Sequence, residues 1–201
     1  MDAQKSRIWI DEYNYRKMRR ISLLKGLLAT LVLMLSLTSC QKEGTGLFKG
    51  YYSFKTSGAL DVNRKTYSPL TDTTDEQDIR LTITPEWGQM NILPVSGKSD
   101  EMIVTMNIVG GGAVVFNATA SGKSLTMEPI ERTITVLDGT EKVSFDVTVS
   151  GVAEKYDDVI IFYFDYTGKG SAGDHSESSV TKYSDYVITA SDVKCVAKEN
   201  D

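Results

Sequence analysis

The fold class follows from the stretch Val143-Ser144-Phe145-Asp146-Val147-Thr148-Val149, in which apolar and polar residues alternate. In a β-strand this alternation places all four apolar side chains on one face and the polar ones on the other. Segments 79–84 and 102–108 alternate in the same way, and no segment after residue 40 repeats its apolar residues with the period of a helix. The sequence therefore predicts a protein built from half-buried strands.

Further segments rich in β-branched and aromatic residues are typical of strands. They are 50–55, 57–62, 89–93, 113–119, 124–128, 131–136 and 186–196. Short stretches rich in Gly, Ser and Asp separate the strands and predict turns. They are 96–100, 110–112, 120–123, 138–139, 157–158 and 167–170. Short strands with turns between them predict an all-β antiparallel meander, closed as a lipocalin-like barrel or, alternatively, packed as a β-sandwich.

One segment departs from the alternation, because residues 159–166 read Val-Ile-Ile-Phe-Tyr-Phe-Asp-Tyr and are apolar on both faces. The favoured interpretation is a central strand that is covered on both sides. In the alternative interpretation, one face of this strand lines a ligand cavity or a partner surface.

The overall composition excludes several classes of function. The 201 residues include 22 Lys and Arg against 27 Asp and Glu, for a formal charge of −5, and such an acidic chain is not expected to bind nucleic acid. Two Cys and one His cannot form a disulfide scaffold or a four-cysteine zinc site. No nucleophile elbow, metal-ligand set or marked pair of carboxylates is present, so we expect no cofactor and no enzymatic activity.

The N-terminal region has the features of a secretory signal. Basic residues at 16–20 precede the apolar run within 21–37, which is short for a membrane span. The run ends at Leu37-Thr38-Ser39-Cys40, which resembles a bacterial lipobox. The resemblance implies that Leu37, Thr38 and Ser39 are recognised by the signal peptidase and that Cys40 becomes the lipidated N-terminus. The alternative is a plain transmembrane anchor. Residues 1–17 are odd for a signal, and we interpret Met18 as the true start.

These boundaries predict a signal peptide at 1–39, a lipidated Cys and polar tether at 40–46, and a single β domain at 47–201. Residues 1–39 hold seven Lys or Arg and three Asp or Glu, so the mature chain carries a formal charge of −9. Its second cysteine, Cys195, has no partner for an internal disulfide and is predicted to be a packed apolar residue.

The stretch 72–78 carries four carboxylates, those of Asp72, Asp75, Glu76 and Asp78. Calcium binds acidic loops of this kind, but the stretch has no glycine to bend it and does not match an EF-hand. A solvated acidic loop is therefore the favoured interpretation, and calcium binding is the alternative.

The lipobox, the short tether and the β domain together resemble the small surface or periplasmic lipoproteins of Bacteroidetes, many of which have lipocalin-like or calycin-like domains. Gly50-Tyr51-Tyr52-Ser53 resembles the opening of such domains. The resemblance implies an outer-membrane lipoprotein, facing the periplasm or the cell surface, that contacts the membrane through its lipid.

Three functions are compatible with these features. The first is a non-enzymatic binding module whose aromatic residues hold a small apolar or glycan ligand. The expected lining is Tyr51, Tyr52, Trp87, Phe162, Phe164 and Tyr166. The second is a structural accessory subunit of an envelope complex for glycan uptake or fimbrial assembly, docked through a strand edge or an apolar strand face. A hydrolase is the least favoured, because no residues are marked for it.

Overall fold

A computed structural model describes residues 44–173 and 181–200. These residues form one short helix and nine strands. The elements are α1 (Thr45–Phe48), β1 (Gly50–Ser68), β2 (Thr73–Thr82), β3 (Trp87–Pro94), β4 (Glu101–Ile108), β5 (Ala113–Ser121), β6 (Ser124–Asp138), β7 (Glu141–Tyr156), β8 (Val159–Ala172) and β9 (Tyr183–Glu199).

The strands form an antiparallel meander, so this prediction is confirmed. From β3 to β9 each strand pairs with its neighbour in the chain, and β9 also pairs with β1. Since β1 pairs with β3 as well, backbone hydrogen bonds run around a ring of eight strands. β2 pairs with the second half of β1, on the same edge that pairs with β3 in the first half.

Strand β1 changes partners halfway along its length. Residues Gly50–Lys55 pair with β3, whereas Ala59–Ser68 pair with β2. Gly58 lies at the change, with a φ of +142°. Its carbonyl accepts a hydrogen bond of 3.1 Å from the Ile83 N–H, at the start of the link that leads from β2 to β3. One long strand thus replaces the two strands predicted at 50–55 and 57–62.

Strand β6 leaves an opening in the wall. Only Ser124–Met127 pair with β5, and the pairing with β7 shifts register between Met127 and Ile130. Pro129, which has no N–H to donate, lies within this shift. Beyond it, residues 130–138 pair with β7 alone among the nine described strands. We call the space between these residues and the segments opposite them, β2 and the 83–86 link, the β6 gap.

The ring interior is the hydrophobic core. Side chains alternate between buried and exposed along the strands, as the sequence predicted for β4 and β7. Phe48 of α1 is completely buried, and its carbonyl accepts a hydrogen bond of 2.8 Å from the Tyr52 hydroxyl. The buried Lys155 donates to Glu199 at 2.8 Å, so the cation that enters the core is paired.

Several local predictions are corrected. The acidic stretch 72–78 is not a loop, because β2 begins at Thr73. The turn expected at 167–170 lies inside β8. Its glycines are required by crowding: a Cβ on Gly168 would lie 2.2 Å from the Asp146 carbonyl oxygen. The short helix α1 begins at Thr45, within the stretch 40–46 that was predicted as the lipidated Cys and tether.

Strand β8 also differs from its favoured interpretation as a strand covered on both faces. Ile160, Phe162, Phe164 and Tyr166 are buried in the core. On the other face Val159 and Ile161 are half-buried, and Tyr163 is 39% exposed. One face therefore supplies the core, and the other contacts solvent.

The predicted signal peptide, the lipobox residues Leu37, Thr38 and Ser39, and the lipidation residue Cys40 all lie outside the described residues, as does the single histidine, His175. Among the described residues, no helix is long and apolar enough to cross a membrane.

Candidate functional site

A cavity of about 460 Å³ opens at the β6 gap. One wall is the unpaired part of β6, and the opposite wall is the 83–86 link with the turn that joins β4 to β5. Cavities of a few hundred cubic ångströms are the usual size for small-molecule sites. We call this cavity the gap cavity. It exists because β6 stops pairing with β5 after Met127, and β1 stops pairing with β3 after Lys55.

The mouth of the gap cavity is apolar and exposed. Trp87 is 55% exposed, Val109 53% and Leu137 50%, and all three line the cavity. Ile134 and Val136 lie deeper in the same wall. Large apolar side chains that border a concave surface are a common feature of binding sites.

An ion pair crosses the gap cavity. Arg132 Nη2 lies 2.5 Å from Glu86 Oε1, and Arg132 Nη1 lies 3.2 Å from Glu86 Oε2, so the contact is bidentate. Glu86 is held by the buried Thr56: the Glu86 N–H donates to Thr56 Oγ1 at 2.7 Å, and the Thr56 N–H donates to the Glu86 carbonyl at 2.7 Å. Two planar charged groups are thus fixed in a partly buried position before any ligand arrives.

Tyr166 adds a third polar group to the lining. The residue is only 5% exposed, and its hydroxyl makes no hydrogen bond with any residue that the structure describes. Burial raises the pKa of Tyr166 to about 12, with smaller opposing effects from Arg132 and Glu86. At neutral pH the hydroxyl is therefore a protonated group able to donate and accept a hydrogen bond.

The six aromatic residues named from the sequence do not form one site. Trp87 and Tyr166 line the gap cavity. Tyr52, Phe162 and Phe164 belong to the packed core and do not line it, and Tyr51 is exposed on β1. Sequence reasoning missed Glu86 and Arg132, which are 46 residues apart and belong to no local motif. One signal was available: Arg132 shares the inward face of β6 with Ile134 and Val136.

A second polar cluster connects β6 to the opposite side of the gap. Arg64 of β1 donates to Asp138 of β6 at 2.8 Å and to Gln77 of β2 at 2.6 Å. The Tyr186 hydroxyl donates to the same Asp138 carboxylate at 3.0 Å. Side chains therefore connect the two strand edges where the backbone ladder is missing.

The acidic residues considered for calcium do not converge. Tyr67 donates to Asp72, Lys65 pairs with Glu76 at 3.5 Å, and Asn63 donates to Asp78. Asp75 accepts a hydrogen bond from its neighbour Gln77. Within residues 44–173 and 181–200, no group of three or more His, Cys, Asp or Glu side chains is placed to hold a metal ion.

Cys195, on β9, is completely buried. Burial, with a smaller effect from Glu86, raises the pKa of its thiol to about 12. Since the thiolate is the reactive form, Cys195 is protonated at neutral pH, and its side chain packs in the hydrophobic core.

A pH titration is expected to reveal the buried tyrosines. Burial raises the pKa of Tyr166 to about 12, and burial with the Asp138 hydrogen bond does the same for Tyr186. Because the folded state holds these protons more tightly, their stabilising contribution is complete below pH 10 and is lost between pH 10 and about 12. Absorbance at 295 nm should show a late phase near pH 12 in native protein that is missing in urea. Tyr166→Phe and Tyr186→Phe should each reduce it, and superimposable native and denatured curves would contradict the assignment.

Comparison with the models of known protein families finds no match for this chain, and comparison with curated proteins finds no significant relative.

Proposed function

We propose that this protein is a non-enzymatic, lipid-anchored envelope protein that binds a small apolar or glycan ligand in the gap cavity. The observation that carries the proposal is the composition of that cavity. Its mouth is formed by exposed apolar side chains including Trp87, and its interior holds the Glu86–Arg132 pair and the Tyr166 hydroxyl. A few positioned polar groups within apolar walls are typical of small-molecule sites.

The proposed location is the outer membrane, and it rests on the lipobox sequence. Only three residues separate Cys40 from Gly44, where the described chain begins. Four chain steps span at most about 14 Å. A lipid on Cys40 would therefore hold the β domain close to the bilayer surface.

A fluorescence titration tests ligand binding at the cavity. The chain has two tryptophans, so the full-length protein with Trp9→Phe leaves Trp87 as the sole indole emitter. Methyl glycosides of the common hexoses and saturated carboxylates of eight to twelve carbons form the panel. We expect at least one class to change the Trp87 emission with a saturable curve.

Two matched leucine substitutions test whether the change in Trp87 emission comes from binding in the gap cavity. Leu137→Asp places a charge in the cavity wall and should weaken the response at least tenfold. Leu93→Asp makes the same change at a residue that is 40% exposed and does not line the cavity, and it should leave the response unchanged. A panel that gives no saturable response, or equal responses in both variants, would refute binding in the gap cavity.

A second function, an accessory subunit of an envelope complex, is favoured by the free edges of β2 and β6. Among the described residues, neither edge has a backbone partner along most of its length, and such an edge can accept a strand from another protein. Pull-down from solubilised membranes should then recover a stoichiometric partner. Proline substitutions at Thr133 and Thr135 of β6 should abolish the recovery of that partner. A monomer that recovers no partner argues against this role.

A further inference from the structure

The polar groups of the gap cavity are nearly charge-balanced. Glu86 and Arg132 neutralise each other through two hydrogen bonds, with side chains 27% and 19% exposed. Lys142 also lines the cavity, but its side chain is solvated. A carboxylate ligand that approached Arg132 would meet the Glu86 carboxylate at the same place. The interior therefore offers little net attraction to an ion.

The same groups keep unused hydrogen-bonding capacity. A guanidinium has five N–H donors, and the contact with Glu86 uses two of them. Each carboxylate oxygen of Glu86 has a further lone pair to offer. Tyr166 is only 5% exposed as a residue, its hydroxyl can both donate and accept, and no described residue pairs with that hydroxyl. A pure hydrocarbon ligand would leave this remaining capacity unused and would displace the water that can otherwise satisfy it, which is unfavourable.

The complementary ligand is a neutral molecule that carries several hydroxyls and an apolar face. We propose that the gap cavity binds a neutral sugar, whose hydroxyls accept from Arg132 and Tyr166 and donate to Glu86, while its C–H face rests against the apolar wall that includes Trp87. This inference rests on the proposed small-ligand function and selects the glycan class over the apolar one. Thr56 contributes indirectly, because its hydroxyl oxygen and its N–H hold the N–H and the carbonyl of Glu86 in place.

Binding of neutral glycosides tests the class of ligand. Methyl glycosides should bind the full-length Trp9→Phe protein with an affinity that changes less than twofold between 50 and 500 mM NaCl, because no net charge is neutralised. Dodecanoate should bind at least tenfold more weakly. If dodecanoate binds in a salt-sensitive manner and glycosides do not, the sugar proposal is overturned while the small-ligand function stands. If neither binds, both are overturned.

Tyr166→Phe tests the site itself. It removes only the hydroxyl oxygen, so we expect sugar affinity to fall at least tenfold with little change in the melting temperature. Tyr163→Phe is the matched control, since Tyr163 lies on the solvent face of the same strand and is 39% exposed. Its sugar affinity should equal that of the parent. Sugar binding that Tyr166→Phe leaves intact would place the ligand elsewhere and overturn the proposal.

Glu86→Gln tests whether Glu86 sets the preference between sugar and dodecanoate, which a merely structural role of Glu86 would not do. The substitution keeps a planar hydrogen-bonding group but leaves the Arg132 charge uncompensated. We expect the preference to invert, with weaker sugar binding and dodecanoate binding strengthened about tenfold and now sensitive to salt. Equal loss of both ligands would indicate simple disruption and would contradict the roles assigned to Glu86 and Arg132.

Discussion

Gly58→Ala is expected to be among the most damaging single substitutions in this protein, with a loss of about 3 to 5 kcal/mol of folding free energy. A Cβ at this position would lie 2.0 Å from the Asp192 carbonyl oxygen and 2.7 Å from the Val193 Cα. Both atoms belong to the backbone of β9, so no side chain can rotate away. The φ of +142° is also a conformation that residues with a Cβ rarely adopt.

The damage would reach the site as well as the fold, because Gly58 lies where β1 changes partner from β3 to β2. Gly112→Ala is the control: it has no positive φ, and nothing lies within 4 Å of its added Cβ. We expect it to change stability by less than about 0.5 kcal/mol. Urea unfolding followed by circular dichroism gives both values. Similar stabilities for the two variants would mean that β1 and β9 are not as close as the structure places them.

Phe162→Ala is the second substitution with a large expected effect, a destabilisation of about 3 to 5 kcal/mol. Phe162 is completely buried, and its ring stacks near that of Phe164 with centroids 6.0 Å apart. Removing the phenyl group leaves a cavity in the core, which the surrounding strands enclose. Because total stability is commonly only 5 to 15 kcal/mol, this loss removes a large part of the free energy of unfolding.

The next residue provides the control. Tyr163→Ala removes an aromatic ring of similar size from the opposite face of β8, where the side chain is 39% exposed. It loses a cation–π contact with Lys194 and some packing, so we expect less than about 1 kcal/mol. Thermal unfolding of both variants gives the comparison. If Phe162 lined a ligand site instead of the core, its replacement would reduce binding while stability changed little.

The strands were predictable because their signal is local. In β7, Phe145 and Val147 alternate with polar residues, and the structure buries the apolar ones and exposes the others. The same local reasoning failed at 167–170. Glycines there suggest a turn, yet Gly168 and Gly170 lie inside β8, where the Asp146 carbonyl and the Phe145 ring approach their backbones. Local sequence cannot distinguish a glycine needed for a turn from one needed for close approach by a distant strand.

The candidate site was predictable only in part. Aromatic residues at Trp87 and Tyr166 were identified, but four others were named with them on the same grounds. Trp87 and Tyr166 differ from the other four residues in lying beside the β6 gap. The pair of Glu86 and Arg132 forms because a link and a strand edge meet across that gap, and neither residue carries a neighbouring motif that would mark it.

The sequence by itself determined the antiparallel all-β class, because alternation of apolar and polar residues sets which face of a strand is buried wherever that strand pairs. Only the tertiary structure decided the division of β1 between two partners, the departure of β6 from β5 and the cavity between them. These features depend on the closure of the whole ring, in which Gly58 must accommodate β9 and Pro129 cannot donate to a neighbour. The proposed binding site is a consequence of that closure, since its walls come from segments far apart in the chain.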